Sequence, residues 1–190
     1  MLIYVHGFNS SALSFKAGLL HERMRALGRA QEYVCPELDH RPQRAIAQLE
    51  ALVASAGKSP VALVGSSLGG YYATWLAERH GLRAALVNPA VQPYELLRGH
   101  LGPQRNLYTG AEYEFTAQHL AELRALEVPR ITPARYLLLV ATGDETLDYR
   151  RAVAKYEGCT QIIVEGSDHA FSRFADYLDV VLEFAAQAAP

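Results

Sequence analysis

Val61-Ala62-Leu63-Val64-Gly65-Ser66-Ser67-Leu68-Gly69-Gly70-Tyr71-Tyr72 is the stretch that decides how the chain is read. Its first four residues are apolar without polar alternation, the pattern of a strand covered on both faces. From Ser67 to His80 the spacing changes to that of a helix, with Leu68, Tyr72, Trp75 and Leu76 as its inner face. G-x-S-x-G stands where the two meet. A strand that turns at once into a helix projects the hydroxyl of its turn residue and aims the helix's positive end at developing negative charge. Gly65 and Gly69 remove side chains that would collide in so tight a turn. Ser67 is therefore the candidate nucleophile, and Ser66 should point elsewhere. The stretch lacks the lysine of a phosphate-binding loop and the middle glycine of G-x-G-x-x-G, so neither nucleotide motif applies.

Outward from this turn, apolar strands recur at Leu2 to His6, Glu32 to Leu38, Ala84 to Val87, Tyr136 to Ala141 and Gln161 to Val164. Helix-sized intervals separate them. The first carries Leu13, Leu20, Met24 and Leu27, with Ser10 or Ser11 as cap. Another opens near Pro42 with Ile46, Leu49, Val53 and Ala56. The last runs from about Ala170 to Ala186 with Phe171, Phe174, Leu178, Val181 and Ala185, and the Ala-rich end beyond Ala185 should fray. Strand and helix in alternation give an α/β fold, a mostly parallel sheet with helices on both faces, and ligands then bind beyond the carboxyl ends of the strands. Residues 1–190 read as a single domain. Ala90 to Arg135 is too long and too rich in Pro and Gly for one crossover helix. Short helices are expected at Glu95 to Leu101 and Tyr113 to Leu126, and the insertion is either a lid over the site or a cover for the sheet.

Composition narrows the function classes. The chain has 190 residues, 50% of them hydrophobic and 20% charged, and a net charge of −2. This fits a globular domain and offers no broad basic footprint for nucleic acid. Two cysteines far apart form no zinc or disulfide pattern, so no metal is expected. No apolar stretch is long enough for a transmembrane helix and no secretion signal is visible, so membrane insertion is not expected and the expected location is cytoplasmic.

A serine hydroxyl needs a base, and the base needs an orienting carboxylate. Of seven histidines, His169 stands apart. It follows the last strand in Glu165-Gly166-Ser167-Asp168-His169-Ala170-Phe171 and can reach back over the sheet. Strand five runs into Thr142-Gly143-Asp144-Glu145-Thr146-Leu147-Asp148. Asp144 is the favoured carboxylate and Asp148 the second choice, with Glu145 aimed outward. An oxyanion hole requires two backbone N–H groups. One is expected from Leu68 and the other from Phe8, or else Asn9, in the loop after strand one. His6 is expected to brace that loop. Substrate-pocket candidates are Asn9, Tyr71, Tyr94 and Phe171, and Asn88-Pro89 would shape the wall.

With these residues in place the chain resembles the alpha/beta-hydrolase superfamily and, more closely, the small bacterial YqiA/YcfP group of esterases. The resemblance rests on Leu2 to Ser11, Gly65 to Tyr72, Asn88-Pro89-Ala90, Thr142 to Glu145 and Gly166 to Phe171, and spans nearly the whole chain. It implies a three-layer fold, truncated by two leading strands, with six strands in the order 2-1-3-4-5-6. It implies hydrolysis of small-molecule carboxylic esters, extending to acyl-CoA thioesters, by the triad Ser67, Asp144 and His169, without a cofactor. The missing strands would leave an edge open to homodimer pairing. Amide hydrolysis, or a binding role on the same fold, remain as alternative readings.

Overall fold

Six apolar segments that the sequence marks as strands lie side by side in the computed structural model, which describes residues 1–187. They are β1 (Leu2–Val5), β2 (Tyr33–Val34), β3 (Ala62–Ser66), β4 (Arg83–Val87) and, after an insertion, β7 (Tyr136–Ala141) and β8 (Thr160–Val164). All five pairings are parallel and the order is β2-β1-β3-β4-β7-β8, the order expected for the six strands once the insertion's own pair is set aside. Every residue of β3 and β7 is buried, which is why neither alternates.

Helices cover both faces. α1 (Phe15–Ala26) and α7 (Leu178–Ala186) close one face, over Leu2, Tyr4, Val64, Val87 and Leu139. On the other lie α2 (Pro42–Ser55), α3 (Leu68–His80) and α6 (Tyr149–Lys155), over Ile3, Val5, Leu63, Leu86 and Leu138. The insertion adds α4 (Pro93–Leu96), the antiparallel hairpin β5 (Gly102–Arg105) and β6 (Glu112–Phe115), and α5 (Ala117–Ala125). It joins the second face, where the Tyr71 hydroxyl of α3 donates to Leu123 O of α5 at 2.8 Å. No helix among the described residues is long and apolar enough to cross a membrane.

Several boundaries differ from the sequence expectation for local reasons. The strand expected over Glu32 to Leu38 shrinks to two residues, because Glu32 closes a 3-10 turn and Pro36 has no N–H to pair. The helix expected over Tyr113 to Leu126 is half strand: Glu112-Tyr113-Glu114-Phe115 alternates outward and inward and pairs with β5, and only after Thr116 does the helix begin. The segment expected as one helix over Glu95 to Leu101 is α4 followed by a 3-10 turn at Leu97–His100. The first helix starts at Phe15, so Leu13 and Leu27 are exposed and Ala17, Leu20 and Met24 carry the contact; its N-cap is Ser14 rather than Ser10 or Ser11. The closing helix begins only at Leu178. Phe171 has φ 53°, which a right-handed helix cannot contain, and a 3-10 turn at Phe174–Tyr177 follows. α7 continues to Ala186, and the fraying expected at the Ala-rich end falls largely on residues 188–190, outside the described residues.

Candidate active site

Parallel strands put all their carboxyl ends on one edge, and there the loops after β1, β3, β4, β7 and β8 converge. Ser67 occupies the turn between β3 and α3 with φ 54° and ψ −121°, a conformation that side chains rarely adopt. Three main-chain hydrogen bonds hold it there. Ser67 N donates to Val87 O at 3.1 Å, and Ser67 O accepts from Gly70 N and Ala90 N, each at 3.0 Å. The turn has no room for side chains beside it. A Cβ on Gly69 would overlap the Val5 carbonyl, and one on Gly65 would stand 2.6 Å from Gly69 O. A Cβ on Gly7 would come within 3.1 Å of Ser67 Cβ, so the loop after β1 lies directly against the serine.

His169 reaches this point from the loop after β8. Its Nε2 lies 3.1 Å from Ser67 Oγ, and its Nδ1 lies 3.0 and 2.9 Å from the two oxygens of Asp144. A carboxylate can only accept, so Nδ1 carries the hydrogen and Nε2 is left with a lone pair facing the serine hydroxyl. The Asp144 side chain is 1% exposed and also accepts from Thr146 N at 2.9 Å and Leu147 N at 2.8 Å. Burial pushes the carboxyl's pKa up, but the His169 hydrogen bond and those backbone donors outweigh it, and the net direction is downward. Asp148, the second choice for this role, instead caps α6 by accepting from Arg150 N at 3.1 Å. Glu145, expected to point outward, turns back and accepts from the backbone N of His169 at 2.9 Å.

The loop after β1 is braced from below. His6 is buried, its Nδ1 lies 3.1 Å from Gly7 O, and its Nε2 accepts from Leu38 N at 3.2 Å. Burial pushes its pKa down, so the ring is a neutral strut. From above, the β5–β6 hairpin grips the same loop. Asn9 Nδ2 donates to Gln104 Oε1 at 3.0 Å, the Tyr113 hydroxyl donates to Asn9 Oδ1 at 2.5 Å, Leu107 N donates to Asn9 O at 2.9 Å, and Asn106 Nδ2 donates to Ser10 O at 2.8 Å. Phe8 and Leu68 both border a cavity of about 40 Å³ that Asn9, Tyr72 and Tyr113 also line.

The pocket expectations need correction. Asn9 lines this cavity, but both ends of its amide are engaged by the hairpin. Tyr71 is not among the lining residues: it is 5% exposed and its hydroxyl is held in the interface with α5. Tyr94 is buried in the same core cluster, with Arg124 over its ring. Phe171 is fully buried on the opposite face of the sheet, against Phe174 and Tyr177. Tyr72, one residue on from Tyr71 and four from Leu68, takes the place expected for Tyr71, because i and i+4 share a helix face. Asn88 was expected at the wall of the site but not as the holder of the His169 main chain, and Tyr113 reaches the cavity from a hairpin strand where a helix was expected. The strict alternation of residues 112–115 is the signal that would have placed Tyr113 on a hairpin. Among the described residues no three His, Cys, Asp or Glu side chains gather as a metal site.

A doubly covered parallel sheet, a serine in a strained strand-to-helix turn, and an acid and a histidine following later strands define the alpha/beta-hydrolase fold. The chain belongs to the Uncharacterised protein family (UPF0227), whose family model matches residues 1–186. A UPF0227 protein of Pasteurella multocida (strain Pm70) is 25% identical over 192 residues, covering 97% of this chain and 98% of that protein. Among solved structures, Est1E from Butyrivibrio proteoclasticus superposes with a TM-score of 0.73 at 17% identity, covering 98% of this chain and 88% of its own; it has also been solved with ferulic acid bound. Mouse alpha/beta hydrolase domain-containing protein 10 superposes with a TM-score of 0.70 at 16% identity, covering 96% and 89%.

Proposed function

We propose that the chain is a serine hydrolase that cleaves carboxylic esters or thioesters through an acyl-enzyme on Ser67. The observation that carries this reading is the unbroken run of contacts from Ser67 Oγ to His169 Nε2 at 3.1 Å and from His169 Nδ1 to Asp144 at 2.9 Å, at the carboxyl edge of the sheet. His169 takes the Ser67 proton as Oγ attacks the substrate carbonyl. The carbonyl oxygen becomes an anion, held by the N–H groups of Phe8 and Leu68. As the carbonyl re-forms, the bond to the leaving oxygen or sulfur breaks, and the departing alcohol or thiol takes the proton from His169. Water then attacks the acyl-enzyme, giving up its proton to His169, and the acid departs as Ser67 recovers its hydrogen. Asp144 keeps the imidazole in the required tautomer and stabilises its cation. Its lowered pKa means that the carboxylate stays charged throughout the neutral range. The ferulic acid held by Est1E, a carboxylic acid on the same fold, is consistent with an acid as product.

The test is hydrolysis of p-nitrophenyl esters from acetate to palmitate by the wild type and by Ser67→Ala. Ser67→Ala should lose at least ~10³-fold in kcat while keeping its fold. The chain length at which turnover peaks measures the useful depth of the acyl site. Wild-type turnover by pure Ser67→Ala protein would end the assignment.

A further inference from the structure

The main chain around His169 belongs to no regular helix or strand. It leaves β8 through Gly166 at φ 69° and Ser167 at φ 59°, and turns again at Phe171 at φ 53°. Two non-glycine residues in left-handed backbone make a strained segment, and strain of this kind persists only where neighbouring groups over-determine it. Here those groups are side chains from three other elements.

Asn88, the residue after β4, is 2% exposed. Its Nδ2 donates to Asp168 O at 3.0 Å and to His169 O at 3.2 Å, while its Oδ1 accepts from Ala141 N at 2.9 Å. Its own backbone N donates to Leu139 O at 2.9 Å. One side chain therefore joins the end of β4, the end of β7 and the peptide of His169. The residue before it, Val87, accepts from Ser67 N, and Ala141 O accepts from Asp144 N at 3.3 Å. Asn88 thus reaches His169 by one hydrogen bond, Ser67 by one hydrogen bond through its neighbour Val87, and Asp144 by two through Ala141. From the other side of the peptide, the Glu145 carboxylate accepts from His169 N, and Lys16 Nζ donates to Ala170 O at 2.5 Å.

We propose that Asn88 and Glu145 are positioning residues for the general base: they fix the C=O and the N–H of His169 so that its imidazole stands over Ser67 in the resting protein. Neither needs to touch substrate. The proposal rests on the serine-hydrolase reading above, and its physical basis is steep: a misplacement of about 1 Å in a reacting group can cost ~10²-fold in rate.

Asn88→Asp is the sharpest variant. It keeps the volume and the acceptor for Ala141 N, but turns an oxygen toward two carbonyls that now receive a donor. With a p-nitrophenyl ester, kcat should fall ~10- to 100-fold while KM stays within about twofold. The rate at which a fluorophosphonate probe labels Ser67 should fall in parallel, which a loss of stability alone would not produce below the unfolding transition. Glu145 is exposed and tests the same peptide without risk to the fold. Glu145→Ala should lose several-fold in kcat, and Glu145→Gln, whose amide oxygen still accepts, should recover most of it; this pair carries the test if Asn88→Asp does not fold. Folded Asn88→Asp with wild-type kcat and labelling rate, or Glu145→Ala indistinguishable from wild type, overturns the proposal while an inactive Ser67→Ala leaves the hydrolase reading standing. An active Ser67→Ala would remove both.

Discussion

Ser67 and His169 meet at 3.1 Å, yet the protein places them by opposite means. The serine stands between a fully buried strand and a helix, fixed by three main-chain hydrogen bonds and by glycines packed too closely for any side chain. Its position is a property of the backbone. The histidine hangs on a strained loop whose main chain is gripped by Asn88, Glu145 and Lys16. Beyond the main-chain bond from Gly143 N to Gly166 O at 2.9 Å, its position depends on side chains borrowed from elsewhere. The difference teaches where the site can be adjusted. Changes near Ser67 tend to break the fold, whereas changes near His169 can alter the chemistry and leave the fold alone.

The largest separation of the two regions should come from Asp144→Asn. The amide keeps the shape but presents a donor to Nδ1, and the wrong tautomer should cost about 10³- to 10⁴-fold in kcat with little change in the unfolding midpoint. Gly69→Ala should do the reverse. Its Cβ meets the Val5 carbonyl, backbone that cannot move aside, and the loss should be about 3 kcal/mol or more in a urea titration. If Gly69→Ala proves as stable as wild type, the backbone account of the serine turn is wrong. Tyr71→Phe removes the hydroxyl from Leu123 O and should cost about 1 kcal/mol with turnover nearly unchanged, since the ring lies in the core and away from the cavity.

The smallest effect concerns Lys16. Burial pushes its pKa down to about 8, and the charges of Asp168 and Asp144 only partly restore it. Between pH 8 and the unfolded value of 10.5 the unfolded chain therefore holds a proton that the folded chain has released, so this group makes stability rise with pH across that window. Urea midpoints measured from pH 8 to 10 should climb less in Lys16→Met than in the wild type. An equal climb would remove Lys16 from the account.

The same contrast explains what the sequence made legible. Val61 to Val64 is apolar throughout because both faces are covered, and G-x-S-x-G follows because the turn admits nothing larger, so the serine region can be read from local pattern alone. That Asp144 and His169 would meet Ser67 was legible because each follows a strand in a short loop. Tyr71, Tyr94 and Phe171 were misplaced because aromatic residues serve core and pocket equally, and only tertiary packing separates them. The hairpin was hidden by helix-compatible residues around Tyr113. Asn88 could be put at a strand end, but its hold on residue 169 is 81 positions away in sequence, and no periodicity encodes a contact of that range.

The hairpin's grip on Asn9 and Ser10 has a consequence for protein engineering. An insertion between two strands looks like a cassette, free to be exchanged between relatives to change substrate preference. Here Gln104, Asn106, Leu107 and Tyr113 hydrogen-bond the very loop whose Phe8 N–H we propose for the oxyanion. A graft of residues 90–135 from another scaffold must therefore bring residues 9 and 10 with it, or it will deliver a new cover over a loop that has lost its supports.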